Sequence, residues 1–102
     1  MRLGFGSGVT KAFRRALEVL QEIKRHERSL MLLDREAADV VAAEKALQQR
    51  VRTLWEGLEG DKDLLAASHR IQRWLAVEDE PDTALAQLTV ADMKRRLAES
   101  RS

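Results

Sequence analysis

The chain has 102 residues and a formal net charge of +1, with no cysteine, no tyrosine and a single proline. A chain of this length forms at most one small domain. The absence of cysteine excludes disulfides, thiolate nucleophiles and cysteine-based metal sites, and no stretch is apolar enough to predict a membrane span or a secretory signal. We therefore expect a soluble, cytoplasmic protein.

The composition favours helix, and the charge is unevenly distributed. Ala, Glu, Lys, Leu and Arg supply 57 of the 102 residues, which exceeds the roughly one half that is typical of coiled coils and long helices. An all-α fold is therefore predicted. The first 17 residues carry four basic side chains and no acid, so the N-terminus is the one basic end of the chain.

The N-terminal residues contain a cluster of glycines, Gly4, Gly6 and Gly8. This composition predicts a flexible arm over residues 1–9, followed by a helix that begins near Thr10, a good N-cap residue. The glycine spacing does not indicate a phosphate-binding loop, because no predicted strand precedes it and no Gly-Lys-Ser/Thr sequence follows. The rest of the chain, residues 10–102, is expected to form one helical domain.

A long apolar repeat follows the glycine cluster. Residues 9–56 contain no glycine or proline, and steps of four and three from Ala12 meet an apolar residue at twelve of fourteen positions. Only His26 and Glu44 break the pattern. The repeat predicts one heptad-patterned helix over about residues 10–57, roughly 70 Å long.

The positions beside this repeat indicate how the helix packs. Four of the seven heptad e positions are apolar, namely Phe13, Leu20, Val41 and Trp55, and the g positions offer no ladder of ion pairs. This wide stripe favours a helical bundle or an antiparallel coiled coil over a parallel zipper. A fold-back near Asp34–Glu36 is the alternative, and it would give a compact monomer of three or four helices.

Two shorter helical segments follow. Asp61 can cap a helix over about residues 62–77, which ends before Pro81 because the residue preceding proline avoids the helical region. A further helical segment covers about residues 83–99. Asp82 can start a short turn at its beginning, and Thr89–Asp92 within it has the pattern of a capping box for a last helix through about Glu99, so the shorter helices number two or three.

Two short helices cannot cover a 70 Å apolar stripe, and a stripe of that length far exceeds the largest apolar patch of a typical monomer. We therefore predict a non-enzymatic scaffold, adaptor or assembly component that forms homo-oligomers and also binds another helical protein. Leu30–Leu33 is apolar on every side of the helix and is expected at the centre of the interface. The predicted interface residues are Val19, Ile23, His26, Leu30, Met31, Leu33, Val40, Leu47, Val51, Leu54 and Trp55.

Few side chains could support chemistry. His26 lies one helical turn after Glu22, but nothing else in the sequence completes a metal site, so no metal or cofactor is predicted. Two separated histidines and no convergent pair of acids do not make a catalytic constellation. For Glu44, the sequence leaves open either control of helix register by a paired charge or a locally exposed position.

An alternative function is that of a small dimeric nucleic-acid-binding regulator. In that case the basic N-terminal segment would contact phosphate groups, or an anionic membrane surface, through Arg2, Lys11, Arg14 and Arg15. The sequence contains no helix-turn-helix or RNA-binding signature. The two hypotheses differ in their predicted salt dependence, since phosphate contacts weaken steeply with salt and apolar helix pairing does not.

Overall fold

The structure is a computed structural model that describes residues 4–100. These residues form five α-helices and no strand. The chain is thus all-α over the described range, as its composition predicts. The helices are α1 (Gly4–Met31), α2 (Val40–Glu59), α3 (Lys62–Leu75), α4 (Pro81–Gln87) and α5 (Val90–Ser100).

The prediction of one continuous helix over residues 10–57 is wrong. Helix α1 ends at Met31 and α2 begins at Val40, so the chain folds back in the segment that contains Asp34–Glu36. The Asp34 side chain accepts a hydrogen bond from the backbone N–H of Glu36 at 3.0 Å. A local bond of this kind gives the backbone an alternative to the helical hydrogen-bond ladder. The first two helices therefore form an antiparallel hairpin.

Burial of apolar surface explains why the chain folds back. A continuous helix would leave its stripe in water, whereas the hairpin packs the stripe of α1 against α2 and α3, and burial of apolar area is the dominant favourable contribution to folding. One cluster contains all the buried apolar side chains of the described residues. Its members are Phe13, Ala16, Leu17, Val19, Leu20, Ile23, Leu54, Leu58, Ala67, Ile71, Leu75, Leu85, Leu88 and Met93.

Helix α1 also begins earlier than predicted. Residues 4–9, expected to belong to a flexible arm, are helical, and residues 1–3 of that arm lie outside the described range. Extension of a helix that is already nucleated forms one hydrogen bond for each residue that is fixed, so the packed part of α1 supports further turns at its N-terminus.

Helices α3 and α5 begin at side-chain caps. Asp61 accepts hydrogen bonds from the N–H groups of Asp63 and Leu64 at 2.9 and 3.2 Å. The Thr89–Asp92 capping box forms, with the Thr89 N–H donating to Asp92 at 3.0 Å and the Asp92 N–H donating to the Thr89 hydroxyl at 3.1 Å. The pKa of the Asp92 carboxyl is lowered most by the hydrogen bond from the Thr89 backbone N–H, and next by the hydrogen bond from the Thr89 hydroxyl. This box divides the predicted 83–99 segment into α4 and α5.

Specific side chains attach these helices to α1. The rings of Phe13 and Trp74 stack with centroids 5.7 Å apart, and the guanidinium of Arg96 lies 5.9 Å from the Trp74 ring centre. The Gln21 amide donates to the carbonyl oxygens of Leu85 and Leu88 at 3.0 and 3.3 Å. Helix α1 is therefore the element around which the others pack.

The core occupies only one end of the hairpin. No apolar residue between residues 24 and 53 is fully buried, although this range contains the end of α1 and most of α2. The Cα radius of gyration is 16.1 Å, larger than the roughly 13 Å expected for a compact domain of about 100 residues. The hairpin thus extends beyond the core as an arm.

Candidate protein interaction surface

The far end of the hairpin carries exposed apolar side chains. We call residues 30–41 the hairpin tip. Met31 is 84% exposed, Leu32 77% and Val41 62%. An apolar cluster on a protruding element, rather than single scattered residues, is the usual mark of an interaction site.

The lengths of the helices explain this exposure. Helix α2 has 20 residues and α3 has 14, which correspond to about 30 and 21 Å. Helix α3 begins soon after α2 ends. It therefore packs near the C-terminal end of α2 and does not reach the tip. Leu30, Leu33 and Val40 are half-buried, since each helix covers the other on one side only.

An ion pair ties the loop to α2. Arg35 forms an ion pair with Glu44 and also donates to the Leu30 carbonyl oxygen at 3.5 Å. Glu44, which interrupts the apolar repeat, is half-buried and has this arginine of its own chain as its partner. The polar residue in the stripe therefore contributes to the geometry of the tip.

Five other charges on and beside the tip have no ion-pair partner among the described residues. They are two cations, Arg28 and Lys45, and three carboxylates, Asp34, Glu36 and Asp39, and all five are exposed. Charges of both signs therefore surround the apolar cluster. Such a surface is complementary in charge to a copy of itself.

Towards the core end of the hairpin, Glu22, His26 and Arg50 form a polar cluster. Arg50 Nη2 lies 2.9 Å from Glu22 Oε2, and this hydrogen bond lowers the pKa of Glu22. His26 Nε2 lies 3.5 Å from the same oxygen, but it is buried and makes no hydrogen bond. His26 is thus placed between α1 and α2 and not on an outer surface.

The structure divides the predicted interface residues into two groups. Val19, Ile23 and Leu54 are buried in the chain's own core, and Val51 and Trp55 pack against that core. The second group consists of apolar residues that lie beyond the core. Leu47 is half-buried on α2, and the other members of this group are at the tip. The structure therefore gives the first group intramolecular partners and leaves the second partly or wholly exposed. The apolar residues of the second group are Leu30, Met31, Leu33, Val40 and Leu47.

The predicted interface residues did not include two exposed residues of the tip, Leu32 and Val41, although Leu32 belongs to the Leu30–Leu33 run expected at the centre of the interface. Both lay off the assumed a/d seam of a continuous helix. Leu32 belongs to the run that is apolar on every side, and Val41 occupies an apolar e position. Those two signals could have identified them.

The basic residues of the alternative hypothesis lie at the other end of α1. Lys11, Arg14 and Arg15 are exposed, and Arg15 pairs with Glu18 at 3.7 Å. Arg2 lies outside the described residues.

Comparison with known proteins gives no relative: no family model, no curated protein and no solved structure matches this chain. Within residues 4–100, every helix is too short or too polar to cross a lipid bilayer. In the same range, no group of three or more histidine, aspartate or glutamate side chains could hold a metal ion.

Proposed function

We propose that this chain is a non-enzymatic helical interaction module, a scaffold, adaptor or assembly component of the cytoplasm, that self-associates through its hairpin tip. The observation that carries this proposal is the exposure of Met31, Leu32 and Val41 on an arm that extends beyond the core. The cysteine-free composition suits the reducing environment of that compartment.

Charge complementarity supports a second copy of the chain as the occupant. In a two-fold contact the same patch meets itself, so each residue of one copy is offered to the partner's patch. Exposed cations at Arg28 and Lys45 and exposed carboxylates at Asp34, Glu36 and Asp39 suit this arrangement, because each sign can meet the other. A strongly acidic partner would leave the three carboxylates facing like charges, and a strongly basic partner would leave the two cations facing like charges.

The geometry of the arm also suits this role. Each hairpin presents two antiparallel helices, and two such hairpins packed tip to tip form a four-helix arrangement. Leu30, Leu33 and Val40 would change from half-buried to buried in that contact. The core end of each copy would stay outside the interface, because its apolar residues already have partners within the chain.

The test is the solution mass by sedimentation equilibrium over a wide range of protein concentration. We compare the native chain with Met31→Asp combined with Leu32→Asp, since each introduced charge would have to be desolvated in the contact. The matched control is Val77→Asp, because Val77 is 83% exposed but lies between α3 and α4. Helix content measured by circular dichroism checks that all three chains fold.

The native chain and the Val77→Asp control are expected to form dimers or larger assemblies, and the tip variant is expected to be monomeric. Self-association that survives the tip substitutions would place the contact elsewhere. A native chain that stays monomeric at every concentration would exclude the second copy, and the tip would then serve another helical protein.

A further inference from the structure

We propose that the exposed face of α1 binds the phosphate backbone of nucleic acid without sequence preference. This is a second interaction, which shares only Arg28 with the charges of the self-association surface. Four cations on this face, Lys11, Arg14, Arg25 and Arg28, are exposed and have no ion-pair partner among the described residues.

The four cations form a line along the helix. At 100° per residue they lie within about 100° of one another around α1, and at 1.5 Å per residue the line from Lys11 to Arg28 is about 25 Å long. Glu18 lies within this line between Arg14 and Arg25, and its charge is compensated by Arg15, which pairs with it at 3.7 Å. An uncompensated row of cations fits a ligand with regularly repeated negative charges, such as a chain of phosphates.

A concave site lies at one end of this row. It has a volume of about 170 Å³ between α1 and the end of α4. Gln21 donates to the Leu85 and Leu88 carbonyl oxygens at its edge, so these oxygens are already satisfied. The lining residues are Gln21, Lys24, Arg25, Arg28, Leu85 and Ala86.

Lys24 holds the wall of this site in place. Its ammonium group lies 3.1 Å from Asp82 and 3.3 Å from Glu27. Burial alone would lower the pKa of Lys24, but the hydrogen bonds to Asp82 and Glu27 outweigh burial and raise it. The two free guanidinium groups, Arg25 and Arg28, are therefore the ones available to a phosphate, and arginine can bind its oxygens in a bidentate manner.

The structure favours nucleic acid over a lipid membrane. An amphipathic helix that lies in a membrane inserts its apolar face among the lipids. The apolar face of α1 from Phe13 to Ile23 is buried in the core, so it cannot insert. The row also lacks exposed aromatic residues, since Phe13 is buried against Trp74. Binding is therefore expected through the phosphates and not through base stacking.

The experiment is fluorescence anisotropy with a labelled duplex of mixed sequence, from 50 to 200 mM salt. Contact with four phosphates predicts a slope of log K against log salt of about −3.6. Arg14→Gln combined with Arg25→Gln should reduce that slope to about −1.8 and weaken binding roughly a hundredfold at 50 mM salt. The matched control is Arg52→Gln combined with Lys62→Gln, two exposed cations of α2 and α3 without ion-pair partners among the described residues.

The control variant is expected to bind as the native chain does. The proposal is overturned if the native chain does not bind the duplex at 50 mM salt, or if the Arg14/Arg25 variant keeps the native affinity and slope. Binding to phosphatidylserine vesicles without binding to the duplex would also overturn it, in favour of a membrane surface. Sedimentation of the Arg14/Arg25 variant checks that its self-association equals that of the native chain.

Discussion

Glu22 and Arg50 are 28 residues apart in the sequence, yet Glu22 Oε2 and Arg50 Nη2 lie 2.9 Å apart across the hairpin. A continuous helix would separate these residues by about 42 Å. The pair therefore identifies which turns of α1 and α2 face each other. Folding also changes how readily the Glu22 carboxylate binds a proton.

The pH dependence of stability follows from this pair. The hydrogen bond from Arg50 lowers the pKa of Glu22 below its ordinary value of 4.5. Glu22 thus binds a proton less readily in the folded chain, so its contribution to stability is present above pH 4.5 and is lost as the pH falls through the lowered pKa. We expect Glu22→Gln to lower the Tm more at pH 7 than at pH 3, as measured by circular dichroism. Equal changes at both pH values, like those expected for the exposed control Glu59→Gln, would contradict the pairing.

The fold-back can be measured directly, because the chain has no cysteine of its own. Spin labels on Glu18→Cys and Thr53→Cys, both exposed positions, should lie on the order of 10–20 Å apart, since packed helix axes are about 8–10 Å apart. A continuous helix would separate them by about 52 Å. Double electron–electron resonance distinguishes the two, and dilution with unlabelled protein removes distances between copies.

The buried side chains at the core end of the hairpin should contribute most to the free energy of unfolding. Ile71 is fully buried on α3, so Ile71→Ala removes buried methyl groups and leaves a cavity, which costs about 2–5 kcal/mol. Val77→Ala, at an exposed site, should change stability by less than about 0.5 kcal/mol. Urea unfolding of both variants tests this difference. A small effect of Ile71→Ala would mean that α3 does not pack as described.

The capping box should stabilise the start of α5. The Thr89 hydroxyl accepts a hydrogen bond from the Asp92 N–H, and loss of such an N-cap costs about 1 kcal/mol. Thr89→Ala is therefore expected to lower the free energy of unfolding by about that amount. Thr83→Ala, an exposed threonine inside α4, is the control, and equal effects of the two substitutions would refute the capping role.

Local signals were enough to predict the helical class and the caps of the C-terminal half. The Asp61 side chain and the Thr89–Asp92 box act on N–H groups two or three residues away, so their geometry is encoded within a single turn. The apolar spacing of α3, which includes Ile71, likewise reports burial on one face.

The position of the fold-back could not be predicted in the same way. Leu33 and Ala37 lie in the loop but are half-buried, so they continue the apolar repeat as residues on a helix face would. No glycine or proline marks the turn. The choice between one helix and two depends on what α1 buries against α2 and α3, and that depends on residues far apart in the sequence. The candidate site was affected most, because Val19, Ile23 and Leu54 were expected to face a partner and instead face the core.

The confinement of the buried core to one end of the hairpin has an evolutionary consequence. Substitutions at the core end are restricted by packing, whereas residues 24–53 contain no fully buried apolar side chain. The arm can therefore accept changes of length, charge or apolar content at little cost to folding. Substitutions at the tip can therefore accumulate while the helical framework of residues 4–100 is inherited unchanged.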